Sequence, residues 1–444
     1  MKKFIQTIKD IWSIDELKSK ILLTLGLMAV YRFMAQVTLP GIDPQQLTQL
    51  GDKTSDGLLG LLSAFTGGAF SRASIMALGI MPYISASIVV QLMGIAVPYL
   101  QKLQKDGESG RNKINQITRW LTIGITIVQG GAYLTSLPTL GIPAEAYLLG
   151  QGGMFWISSM ILLTAGTVFA MWLGERITEK GIGNGISLLI MIGIIARFPA
   201  AFMQEFTSKY AAGSGGFMMI LLEIIVWLLI ILASILLVTA VRKIAVQYAR
   251  RTVVGSVDDA QGARQYIPLK LNSAGVMPII FAQAIMFVPG LVARNTEGTL
   301  QTVFNALSDF NSWGYNILFC VLIIVFSYFY TAITIPTNKM ADDLKKSGGF
   351  IPGIRPGVET AEKLDSILSK ITLPGSIFLA LLAVFPAIIV HFGVQQNWAM
   401  FYGGTSLIIM VGVAIDTIQQ INSYLLNRHY DGLMKTGTKR RSTI

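Results

Sequence analysis

The stretch FMMILLEIIVWLLIILASILLVTAV at residues 217–241 contains a single ionisable side chain, Glu223. A helix of about 20 apolar residues is long enough to cross the ~30 Å hydrocarbon core of a bilayer. Nine further stretches of this kind flank it; the fifth of the ten is short, and the second contains Pro82. We predict spans at 21–39, 75–97, 117–137, 154–173, 186–201, 217–241, 274–292, 313–333, 372–391 and 405–426.

The composition agrees with this pattern. Of the 444 residues, 52% are hydrophobic and only 13% are charged, and the mean hydropathy is +0.59. A soluble chain of this length needs more polar surface. The sequence therefore predicts an all-α polytopic membrane protein with ten transmembrane helices.

The basic residues between the spans predict the orientation. With the N-terminus inside the cell, 29 of the 35 Lys and Arg residues fall on the cytosolic side. Basic connections resist translocation, so such an asymmetry sets topology. Both termini are expected in the cytosol. The first twenty residues have apolar side chains at helical spacing, which favours a short interfacial helix, with a flexible tail as the alternative.

Catalytic and metal-binding chemistry has little material in this chain. Cys320 is the single cysteine, and His391 and His429 would lie on opposite sides of the membrane. The glycine-rich GIGNGIS at 181–187 lacks the spacing of a nucleotide-binding loop. We therefore expect no catalytic residues, no metal site, no cofactor and no enzymatic activity.

The candidates for functional charge within the predicted spans are Arg32, Glu223 and Asp416. The first two are near the outer ends of their spans, so their charged groups are expected to reach the interface. Asp416 is in the middle of a span and needs a partner, for which a structural hydrogen bond is favoured over a proton relay. A secondary transporter would normally carry more intramembrane charge.

Two cytosolic connections, 242–273 and 334–371, are long and basic. They suggest docking of an acidic nucleic acid, lipid or protein, although ordinary topology signals are an alternative explanation for the charge. The candidate docking residues in these connections are Arg242, Lys243, Arg250, Arg251, Lys345, Lys346 and Arg355.

The outer segment 57–73, GLLGLLSAFTGGAFSRA, is apolar but broken by glycines. A re-entrant or cavity-lining segment fits this composition, and a surface loop is the alternative.

Several longer motifs resemble the SecY family, the channel-forming subunits of the Sec protein translocase. The resemblance runs from the first span to the tenth, but not through 252–266 or 293–312. Its motifs are FTGGAFSRASIMALGIMPYISASIVVQL at 65–92, KDGESGRNKINQ at 105–116, GERITEKGIGNGIS at 174–187, LKLNSAGVMPIIFA at 269–282, DDLKKSGGFIPGIRPG at 342–357 and FYGGTSLIIM at 401–410.

The resemblance implies two pseudo-symmetric halves of five spans, at 1–205 and 206–426, followed by a cytosolic tail at 427–444. The halves would form a clamshell around a central pore that passes unfolded polypeptides and opens sideways to lipid. The implied location is the cell inner membrane. Implied partners are SecE, SecG, the SecA ATPase, the ribosome, polypeptides with signal sequences, and the lipid bilayer.

The resemblance also implies three sets of site residues. The pore ring falls on Ile80, Ile84, Ile186, Ile190, Ile280 and Ile409. The plug falls on Gly60, Leu61, Leu62, Phe65, Gly67, Gly68, Phe70 and Arg72. Polar residues that could form the lateral gate are Ser85, Ser87, Gln91, Asn272 and Gln283.

Two functions from different classes remain at this stage. One is a passive protein-conducting channel driven by a docked motor or ribosome, and the other is a secondary transporter of a small solute. A membrane protein that binds nucleic acid is partly included in the first, because ribosomal RNA is an acidic partner. The scarcity of buried carboxylates and the long basic connections favour the channel.

Overall fold

The computed structural model describes residues 9, 11–43, 63, 66–138, 146–147, 152–211, 216–248, 264–283, 285–286, 304, 306–307, 309 and 312–440. The chain divides into two compact units. The first comprises Met1–Phe202 and Val413–Ile444, and the second comprises Met203–Gly412. The halves expected at 1–205 and 206–426 are defined by topology instead and stay a prediction.

Helices build the described part of the first unit: α1 (Asp15–Met34), α2 (Met81–Ala96), α3 (Pro98–Lys105), α4 (Gly107–Ser136), α5 (Gly153–Lys180) and α6 (Gly185–Ala211), whose end belongs to the second unit. Pro82 lies in the first turn of α2, where its missing N–H is not needed. The fifth span, expected to be short at 186–201, instead runs to Ala211 as α6 with Pro199 inside it.

The second unit combines helices with a small sheet. Its elements are α7 (Gly216–Thr239), β1 (Val241–Tyr248), β2 (Arg264–Lys270), α8 (Trp313–Thr334), α9 (Thr337–Lys346), β3 (Gly349–Phe350), α10 (Val358–His391), α11 (Gln396–Ala399) and the start of α12 (Gly404–Arg440). The sheet has the order β2-β1-β3, and both pairings are antiparallel. Val241 pairs with Lys270, and Gln247 pairs with both Arg264 and Phe350.

This sheet corrects the expectation of two long loops and of a purely helical fold. On β1, Ile244 and Val246 are buried at alternate positions, as the two-residue period of a strand requires. We call the structure formed by β1, β2, α9, β3, the turn at 351–357 and the first turns of α10 the basic lobe. Its core consists of Ile244, Val246, Leu269, Leu344, Ile351, Leu364 and Leu368.

The described residues contain six helices long and apolar enough to cross a membrane, or seven if the bent pair 81–94 and 98–104 forms one span. Helices α1 and α4 lie at the first and third predicted spans but fall outside this count, since α1 carries charges and α4 is rich in Thr and Gly. Of the seventh predicted span, 277–283 and 285–286 are described and helical.

Glu223 does not reach out to the interface as expected. Its side chain is only 8% exposed and lies 3.7 Å from the Lys209 ammonium, which is also 3.7 Å from Glu205. Lys209 additionally donates to the carbonyl of Gly393 at 2.7 Å. Asp416, in contrast, is exposed, and its carboxylate forms no hydrogen bond with the part of the chain that the structure describes. The expected structural partner of Asp416 is therefore not found there.

Candidate functional site

Of the predicted plug at 60–72, the structure describes Ser63 and residues 66–72, and the turns at 66–72 continue through further turns and bends into α2. The Gly68 N–H donates to the Ser63 carbonyl at 2.8 Å, and the Phe70 N–H donates to Thr66 Oγ1 at 3.2 Å. Phe70 is buried against the ring of Tyr133, whose hydroxyl donates to the Phe70 carbonyl at 2.8 Å. This burial fits a packed segment better than a surface loop.

The other predicted plug residues divide into two groups. Gly67, Gly68 and Arg72 lie in the turn just before or after Phe70, and the two glycines have positive φ angles. Gly60, Leu61, Leu62 and Phe65 lie outside the described residues. The plug assignment for the whole set stays a prediction.

Four of the predicted ring residues belong to the first unit. Ile80 is buried at the start of α2, and the N–H of half-buried Ile84 donates to its carbonyl at 3.1 Å. Ile186 and Ile190 lie one turn apart at the start of α6, where Ile190 is buried. The pairs at 80/84 and 186/190 therefore each occupy one helical face.

The start of α6 shows what the GIGNGIS motif does. Asn184 Oδ1 accepts from the N–H groups of Ile186 at 3.1 Å and Ser187 at 3.3 Å, which is N-capping. The neighbouring N–H groups donate to side chains of other helices: Ile182 to Thr24 at 3.1 Å, Gly183 to Gln420 at 2.8 Å and Gly185 to Thr178 at 2.9 Å. The motif is a junction of α1, α5, α6 and α12, a role that the sequence analysis missed.

The remaining ring and gate residues are distributed over both units. Ile280 is half-buried in the helical stretch 277–283, and Ile409 is buried in α12. Gln91 Nε2 donates to Ser87 Oγ at 3.5 Å along α2, next to half-buried Ser85. Gln283 Nε2 donates to Thr405 Oγ1 at 3.2 Å, and Asn272 is half-buried just after β2.

The basic lobe presents five of the seven predicted docking residues on its surface. Arg242 and Lys243 are exposed on β1, and Lys345 and Lys346 are exposed in the last turn of α9. Arg355 is 87% exposed in a turn in which its carbonyl accepts from Thr360 Oγ1 at 2.9 Å. Arg250 and Arg251 lie outside the described residues. A shared apolar core therefore carries positive charge from two distant sequence segments.

Comparison with known proteins points to one family. A family model described as SecY matches residues 74–418. The protein translocase subunit SecY of Streptomyces coelicolor is 39% identical over 431 residues, which cover 95% of this chain and 97% of the relative. The subunit of the same name from Corynebacterium glutamicum is 38% identical over 454 residues, which cover 98% and 100% of the two chains.

Solved structures share the fold at lower identity. A structure described as a protein conducting channel has a TM-score of 0.60 and 17% identity over 91% of both chains. A second, from work on the SecY plug domain, has a TM-score of 0.58 and 16% identity over 91% of both chains. Sec61 in a canine ribosome-channel complex has a TM-score of 0.55 and 16% identity over the same share.

Proposed function

This chain belongs to the SecY family of protein translocase subunits, and we propose on that premise how its parts conduct a polypeptide. It is a multi-pass membrane protein and the subunit of a protein-conducting channel. The observation that carries this conclusion is the family match together with relatives that align over nearly the whole chain. The alternative of a secondary transporter is not supported.

We propose that ten helices form a clamshell of two halves, at 1–205 and 206–426, with an unfolded chain passing between them. The family is one of channel subunits and not of enzymes, so the energy for transport comes from a partner. The six isoleucines would close the pore as an apolar ring that adapts to any side chain and excludes water when empty. The segment from Gly60 to Arg72 would rest against that ring as the plug, a role consistent with the burial of Phe70.

Lateral release of hydrophobic segments requires a weak seam between helices. Ser85, Ser87, Gln91, Asn272 and Gln283 would supply polar contacts along it. Interhelical hydrogen bonds in membranes contribute only about 0.6–2 kcal/mol each. A signal sequence could therefore replace them without a large barrier, and the released segment would enter lipid directly.

The topology proposal predicts which positions an external reagent can reach. In a Cys320→Ser background, single cysteines at Ser55 and Ser208 should react with a membrane-impermeant thiol reagent applied outside, and cysteines at Glu108 and Ser347 should not. The reason is the distribution of basic residues, which keeps both termini and the basic lobe in the cytosol. The measurement is labelling of intact cells. Reaction at position 347 from outside would overturn the orientation.

We propose that the basic lobe is the docking surface for SecA and the ribosome. The small subunits SecE and SecG would bind the chain within the membrane. Arg355→Glu should lower SecA-driven transport by about tenfold or more, because it reverses a charge in the turn that faces the partner. The fold should persist, since the ion pair to Glu359 at 3.9 Å is exposed and exposed pairs contribute little to stability.

The measurement is ATP-dependent protein import into proteoliposomes that contain the full complex. Arg176→Glu is a matched control, because Arg176 is also an exposed arginine paired with a glutamate three residues along its helix, at 3.5 Å. Lys345→Glu and Lys346→Glu should give milder losses, because these side chains act mainly as a diffuse positive field. Unchanged import in the Arg355→Glu complex would remove the docking role.

A further inference from the structure

Three arginines from different parts of the first unit converge on the turn at Gly67 and Gly68. Arg32 of α1 donates from Nη1 to the Gly67 carbonyl at 3.3 Å, and Arg72 donates from Nη2 to the same oxygen at 3.0 Å. The Nε atom of Arg197, from α6, lies 3.9 Å from where a Cβ on Gly68 would be. All three side chains are partly buried.

The two glycines make this convergence possible. Their φ angles are +64° and +85°, a backbone conformation that residues with a Cβ atom rarely adopt. A Cβ on Gly67 would meet Arg32 Nη1 and would lie 2.9 Å from the Cα and carbonyl oxygen of Gly193. A guanidinium and the backbone of α6 therefore fill the space that a side chain would need.

The charge at this turn is not balanced by the groups that the structure describes. Among the described residues, none of the three arginines forms an ion pair with a carboxylate, and one neutral carbonyl oxygen serves two guanidinium groups. Arg72 Nε is buried and has no hydrogen-bond partner there. Arginine does not lose its proton in proteins, so burial cannot be relieved by neutralisation.

We propose that Arg32, Arg72 and Arg197 form a binding site for one oxyanion, a carboxylate or a phosphate group. Guanidinium groups bind such anions through paired N–H donors, and Arg72 Nε offers an unused one. Three converging positive charges favour a single shared anion. The anion can come from a lipid headgroup or from a free oxyanion in solution. The site belongs to the resting protein and does not require a polypeptide in transit.

The test is the unfolding temperature of the purified full chain as phosphate or acetate replaces chloride at constant ionic strength. The parent should show a saturable rise of about 2–5 °C. Arg197→Gln should lose that rise, and it removes none of the hydrogen bonds to Gly67. Arg176→Gln, which removes an exposed arginine on α5, should keep the rise. Without oxyanion, Arg197→Gln should be at least as stable as the parent, because it removes like-charge repulsion.

A second arm separates the sources of the anion. The same proteins are compared in vesicles of phosphatidylglycerol and of phosphatidylcholine. A rise with both small anions supports the site and assigns it to free oxyanions. A rise only with phosphatidylglycerol, lost in Arg197→Gln, supports the site and assigns it to a headgroup. The proposal is overturned if no arm shows a saturable effect, or if Arg197→Gln responds as the parent does.

Discussion

Replacing Ile84 and Ile190 together with serine should make the resting channel leak ions. The proposed ring closes by excluding water, and two hydroxyl groups would make the constriction wettable. We expect the resting conductance to rise by about an order of magnitude. The two residues come from the start of α2 and the start of α6, so the change affects both helices of the first unit that carry predicted ring residues.

The measurement is single-channel conductance in planar bilayers without substrate. Ile161→Ser is the matched control, because Ile161 is 63% exposed on α5 and is expected to face lipid. Deleting residues 60–69 should raise the leak further or destabilise the protein. Equal conductance in the double variant, the control and the parent would mean that these isoleucines are ordinary packing residues.

Lys209→Met should be one of the most destabilising single substitutions in the second unit. The side chains of Glu205 and Glu223 are 2% and 8% exposed, and Lys209 lies 3.7 Å from both. Removing the ammonium leaves two carboxylates close together and buried without their cation. Breaking a buried ion pair in this way costs about 3–5 kcal/mol.

Thermal and denaturant unfolding in detergent would measure this loss. Lys20→Met is the comparison, because Lys20 also pairs with a glutamate four residues away, but that residue, Glu16, is 71% exposed. The Lys20→Met variant should lose no more than about 1 kcal/mol of unfolding free energy. Adding Glu223→Gln to Lys209→Met should restore part of the stability, since one buried charge is then removed. Similar losses for the two lysine variants would show that the buried cluster contributes no more than a surface pair.

The apolar runs were the part of the fold that the sequence predicts best. The spans expected at 217–241 and 313–333 agree with α7 and α8 to within two residues at each end. Hydropathy is a local property, so it can be read without knowing the partners of a helix. The prediction that Glu223 reaches the interface was wrong for the same reason. Its partner, Lys209, belongs to the preceding helix, and hydropathy within one span does not reveal that contact.

The basic lobe shows a second limit of prediction from the sequence. The high charge of 242–273 and 334–371 led us to predict solvated connections, although Ile244 and Val246 alternate as in a strand. Strand β1 pairs with β2 and β3 and packs against a cluster that includes Leu344 and Leu364. Both leucines and β3 lie about a hundred residues or more after β1 in the sequence, so a local pattern does not reveal these contacts. The pore ring is a different case, because the spacing of isoleucines does not distinguish a pore lining from a packed core. Those residues were predicted from the family resemblance, and the ring stays a prediction.

The junction at GIGNGIS has a consequence for the order in which the chain assembles. The Gly183 N–H is held by Gln420, and the first unit includes residues from both ends of the chain. Synthesis proceeds from the N-terminus, so α1, α5 and the start of α6 are made long before α12. The hydrogen bond that joins them to α12 can form only when α12 has been made. The unit that contains α1 is therefore completed only after the residues of the second unit have been synthesised.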